Sequence, residues 1–254
     1  MAYAIFEEAF TTQSLFNPNY LHLHLLSPAY IPSLGISAWW TLWMLNVHPI
    51  WSIATPIALI EACFPDRART PWLGKWGIAI TAVLFVLGAV MSTLISLKQD
   101  PFVAQPVQLA SAAVVCAALI AAAFLAPRNR KPAAYGWIPN PLLSGMFALG
   151  LGSILLLIPS VWGWLAFLSM LMCDLVALLA VWTWSRRIGW SLQHQLALAA
   201  GAALAYGWHS FLQQPVVPTS PSVVRVGNAI FVLAAVWLIW FATKRSRATV
   251  AIQP

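Results

Sequence analysis

The stretch "WWTLWMLNVHPIWSIATPIALIEACFPDRAR", Trp39–Arg69, decides the fold class. A hydrocarbon core about 30 Å thick needs roughly 20 apolar residues in a helix, and this run supplies them before closing on Asp66, Arg67 and Arg69. Inside it sit Asn46, His48, Pro49, Ser52, Thr55 and Pro56. Polar and ionisable groups are costly within a bilayer, so those that occur there are read first as candidates for function.

Composition extends the reading to the whole chain. Of 254 residues, 61% are hydrophobic and only 7% charged, against roughly 25% charged in a soluble domain. The bilayer must therefore supply most of the solvent. A net charge of +7 would suggest nucleic acid in a soluble protein. Here the basic residues sit in short clusters between apolar spans, so no nucleic-acid partner is expected. They act as topology signals and as contacts to anionic headgroups. Cys63, Cys116 and Cys173 lack any paired spacing and read as small residues at helix contacts.

Seven segments are apolar enough to be spans: 36–64, 76–97, 105–126, 141–158, 163–185, 190–212 and 224–243. Arg67, Arg69, Lys75, Arg128, Arg130, Lys131, Arg186, Arg187, Lys244, Arg245 and Arg247 fall on alternate loops, and only Lys98 and Arg225 on the others. The positive-inside rule then puts the C-terminus in the cytoplasm. The expected fold is all-α, a polytopic transmembrane helix bundle. Residues 1–35 form an extracytoplasmic N-terminal segment, 36–243 the bundle and 244–254 a cytoplasmic tail. "MAYAIFEEAF" reads either as an interfacial helix or as the outer end of an eighth, partial N-terminal helix. Glu7, Glu8 and the prolines at 18, 28 and 32 interrupt every window long enough for a complete span.

Small residues repeat every four positions at Gly88, Ser92 and Ser96, and at Ser144, Ala148 and Gly152, while "LALAAGAALAYG" is mostly Ala and Gly. Such stripes let helix backbones approach closely. They serve internal packing first and leave room for a homo-oligomer or another membrane-protein partner.

At 100° per residue, Thr41, His48, Ser52 and Thr55 share one stripe of the first span, with Asn46 nearly opposite. Pro49 and Pro56 are expected to kink that helix. Asp174 lies near the centre of the fifth span, beside a small-residue face made by Ala166, Ser169, Cys173 and Ala177. Counted from the outer ends of their spans, His48 and Asp174 are both about 17–18 Å deep at the helical rise. A shared His48–Asp174 site, completed by Thr41, Ser52 or Thr55, is the expectation. Tyr206, His209, Gln213 and Asn228 are expected to line a polar outer mouth.

Seven spans with an outer N-terminus resemble rhodopsins, but the last span carries no lysine for a Schiff base. "FEEAFTTQ" superficially resembles the paired glutamates of intramembrane CAAX-type proteases. It lacks the arginine those enzymes place after the pair, and it lies at the wrong end of the chain relative to any complete span. No Walker, G-x-S-x-G or HExxH motif is present. His22 and His24 alone are too few for a metal site, so no metal and no cofactor are assigned. The leading expectation is small-molecule or proton-linked binding or transport through the buried polar site, in a prokaryotic inner (plasma) membrane. The alternatives are an intramembrane enzyme using His48 or Asp174 as acid or base, and a non-catalytic assembly subunit.

Overall fold

The computed structural model describes residues 1–68, 70–126, 134–215 and 217–252, with side chains to Arg247. Arg69, Arg128, Arg130 and Lys131, which contribute to the basic asymmetry, lie outside the described residues. The protein is an all-α membrane protein. Its helices are α1 (Ala2–Phe6), α2 (Ala38–Asn46), α3 (Thr55–Cys63), α4 (Lys75–Gln99), α5 (Pro106–Leu125), α6 (Pro141–Leu157), α7 (Trp164–Trp184), α8 (Leu192–His209) and α9 (Pro221–Ile252). A π-helical turn, Glu7–Thr11, extends α1, and a longer π-helix, Val47–Ala54, joins α2 to α3.

All seven segments expected to span are helical. Five are long and apolar enough to cross a bilayer: 38–63, 75–99, 106–125, 164–184 and 221–247. The other two differ for physical reasons. α6 has 17 residues, and the alanines and glycines of α8 dilute its hydropathy. Residues 1–35 hold the α1–π helix, a 3-10 turn at Tyr20–His22 and a two-stranded hairpin, β1 (Tyr30–Ile31) paired antiparallel with β2 (Ile36–Ser37). The ten helical residues from Ala2 to Thr11 rise about 15 Å, half of what a crossing needs. The three cysteines are unpaired.

Contacts divide the chain into two units, residues 1–49, 71–128 and 159–171 in the first and 50–70, 129–158 and 172–254 in the second. In the first, Ile5, Ala9, Leu15, Phe16, Ala104 and Ala112 form the core. Polar bonds fasten the N-terminal segment to it: the Ala104 N–H donates to Gln13 Oε1 at 2.7 Å, and Asn17 Nδ2 donates to Asp100 Oδ2 at 2.8 Å.

In the second unit, α8 packs on α3, α6 and α9. The α6–α8 seam is the closest approach. A Cβ placed on Gly201 would collide with the Gly145 carbonyl oxygen and come within 2.8 Å of the Leu149 nitrogen. Ser144, from the expected stripe, is fully buried. The stripe on α4 has a different fate: Gly88 has open space where its Cβ would be, and Gly88 and Ser92 border a cavity rather than a neighbouring backbone.

Candidate functional site

Ser37 starts α2 by accepting the Trp40 N–H at 3.0 Å. Twelve residues after Ser37 the helix meets Pro49, which has no N–H to give and whose ring crowds the carbonyl four residues back. The backbone there widens into the π-helix Val47–Ala54. π segments occur often at functional sites. A second one, Glu7–Thr11, closes with the Thr12 N–H donating to the Glu7 carbonyl at 2.9 Å.

These two widened segments bring together His48, Glu7 and Glu8. His48 Nε2 lies 2.9 Å from Glu8 Oε1. The other Glu8 oxygen, Oε2, accepts from Thr12 Oγ1 at 3.0 Å and from Ser14 Oγ. Trp40 Nε1 in turn donates to Ser14 Oγ at 2.9 Å, which fixes that hydroxyl toward the carboxylate. Three donors thus converge on a buried Glu8. An ionised carboxylate only accepts, so Nε2 carries the imidazole proton in this network.

The opposite ring nitrogen, His48 Nδ1, faces Glu7 Oε2 at 3.5 Å. Both atoms are shielded from solvent, and neither has a hydrogen-bond partner. With a proton on Nε2 alone, two lone-pair bearers confront each other, and either a second proton on Nδ1 or another cation between the two atoms relieves the contact. The Tyr3 ring stands edge-on to the imidazole, its centroid 5.4 Å away, and its hydroxyl hydrogen-bonds Glu7. Outside the spans, burial and then the Glu8 and Glu7 charges push the Tyr20 phenol above its usual pKa. A cavity of about 230 Å³ opens at Glu7, bordered by Tyr3, Phe6, Phe85, Gly88 and Ser92.

Residues 1–252 match the model of a family described as an uncharacterized membrane protein family. The chain belongs to that family. No curated protein and no solved structure matches it. Membership establishes a membrane protein and carries no activity with it, so the chemistry must be read from the side chains.

The expected polar stripe is redistributed. Thr41 Oγ1 donates to the Ser37 carbonyl of its own helix at 2.7 Å. Ser52 is exposed and Thr55 buried. The 100° wheel fails here because a π-helix closes its bonds one residue later than an α-helix, so positions after Val47 turn away from the predicted stripe. His48 gives its hydrogen bond to Glu8. Asp174, its expected partner, lines a cavity of about 490 Å³ in the second unit together with Trp51, Thr55, Gly152, Cys173 and Gln195.

The residues of the expected outer mouth serve local structure. Asn228 Nδ2 donates to the Ser210 carbonyl at 2.9 Å, satisfying an acceptor just past the end of α8. His209 is buried and bonded to Gln213, and Tyr206 rests against Trp51.

Sequence reading did not place Glu7, Glu8, Thr12, Ser14 or Trp40 in the site. The available signal was "FEEAF" itself, two adjacent carboxylates in an otherwise apolar run. It went unused because the run is too short to be a span.

Proposed function

We propose that the protein binds and transports a small cation within the membrane, with Glu7, Glu8 and His48 as its site. One observation carries the reading: Glu7 Oε2 and His48 Nδ1 face each other, shielded from solvent and without hydrogen-bond partners. Two such acceptors hold a positive species between them far more readily than they tolerate a void. Two carboxylates against one imidazole give the site the same preference. The orientation follows the basic asymmetry, with residues 1–35 outside and the tail 244–254 in the cytoplasm, as an inner-membrane protein would have it.

A second reading is favoured by the cavity at Glu7. An intramembrane enzyme would use the same carboxylate–imidazole set as base and acid, with the cavity admitting substrate.

Thermal unfolding of the purified protein in lipid nanodiscs tests the cation reading. The titrants are Na⁺, K⁺, methylammonium and divalent metals. A ligand at a hundredfold excess over its Kd stabilises by about 2.7 kcal/mol. At least one cation should raise the wild-type Tm, have no effect on Glu7→Gln and raise the Tm of Glu8→Gln less than that of the wild type. If none does, the reading is overturned, and the cluster is a structural tie in an assembly subunit.

A further inference from the structure

We infer that the cation is a divalent first-row transition metal of zinc-like preference, held directly by Glu7 Oε2 and His48 Nδ1. The inference rests on the cation reading above and names its ligand. Ligand atoms of Glu7, Glu8 and His48 all lie within 4.8 Å of one another, but the three do not play equal parts. Glu8 is committed to Nε2 at 2.9 Å and to two hydroxyls. It is therefore the carboxylate behind the histidine: it fixes the tautomer, aims Nδ1 and raises its basicity, as such partners do in metal sites.

The 3.5 Å between Nδ1 and Oε2 discriminates among metals. At zinc-like bond lengths of about 2.1 Å to each atom, that separation subtends an angle of about 113°, close to tetrahedral. Octahedral Mg²⁺ at about 2.05 Å needs adjacent ligands roughly 2.9 Å apart, well inside the observed separation. Ca²⁺ and Mg²⁺ also prefer all-oxygen shells, whereas imidazole suits zinc, copper, iron and nickel. The cavity at Glu7 leaves room for water in the remaining positions. The Tyr3 hydroxyl, bonded to Glu7, steadies the second ligand.

The test is isothermal titration of the full-length protein in nanodiscs with Zn²⁺, in a His22→Ala/His24→Ala background that removes the exposed histidines of the N-terminal segment. One Zn²⁺ per chain is expected, with no heat from Mg²⁺. Glu7→Gln and His48→Gln should each weaken binding by about 100-fold or more, and Glu8→Gln by about 10- to 100-fold. Zinc K-edge absorption on the unmutated cluster should show one imidazole and oxygen neighbours, which decides the matter even if a variant fails to fold. Three results overturn the inference: no stoichiometric binding, binding indifferent to Glu7 and His48, or a shell holding sulfur or several imidazoles. Stabilisation by methylammonium or a monovalent ion without zinc binding would sink the metal and leave the cation reading standing. Silence from every cation sinks both.

Discussion

Where α6 meets α8, the backbones approach through Ser144, Gly145, Gly152, Gly201 and Ala205, with no ionisable group at the contact. Where the N-terminal helix meets α2, contact is made by Glu8, Ser14, Trp40 and His48, and each hydrogen bond depends on another. The first region is held by dispersion and close approach, the natural adhesive between helices in lipid. Cavities of about 330 and 490 Å³ flank it, bordered by Gly145 and Gly201 and by Gly152, but among the described residues no buried side-chain nitrogen or oxygen there lacks a partner. The second is held by charge and leaves two acceptors unsatisfied. Close packing of small residues is a way to stay shut, whereas a polar cluster with one incomplete side can take something up.

The largest effect should come from breaking the polar side of this comparison. Glu8→Ala removes the acceptor for His48, Thr12 and Ser14 together, and should cost about 3–5 kcal/mol, since each buried donor left unpaired costs about 1–3 kcal/mol. Denaturant titration in mixed micelles would measure it, and a loss below about 1 kcal/mol would show the cluster to be solvated.

The seam should be nearly as sensitive to a single methyl group. Gly201→Ala forces a Cβ against the backbone of Gly145 and Leu149 and should cost about 2–3 kcal/mol. Gly88→Ala, where nothing lies within 4 Å, should be neutral or stabilising by up to about 1 kcal/mol. Equal effects at the two glycines would erase the distinction between seam and cavity wall.

The smallest effect is expected at the end of α8. Asn228→Ala frees the Ser210 carbonyl near the membrane surface, where water can replace the bond, for about 1 kcal/mol.

Helix positions were legible because hydropathy and charge act through the bilayer on each segment separately. The α6–α8 seam was legible for a related reason, since a four-residue repeat of small side chains is a local pattern. The site was not. Glu8 and His48 are forty residues apart, and their meeting depends on a short N-terminal helix that no span criterion selects. Ser52 is exposed and Thr55 buried for a local reason: the chain around Pro49 runs as eight residues of π-helix, and a wheel drawn at 100° cannot register that change. His48 lies near the start of that segment and bonds Glu8, a partner the sequence did not single out.

The fastening of residues 13–17 to Asp100 and Ala104 bears on how the chain is made. At about 5–20 residues per second, the anchoring residues leave the ribosome some 5–20 s after the segment they will hold. Through that interval Glu7 and Glu8 have neither α5 nor the α4–α5 turn to lie against, and two carboxylates cannot wait in hydrocarbon. Insertion of α4 and α5 therefore precedes docking of the amino-terminal helix. The site assembles only after that insertion, and any factor that retains that helix in water delays function without disturbing a single span.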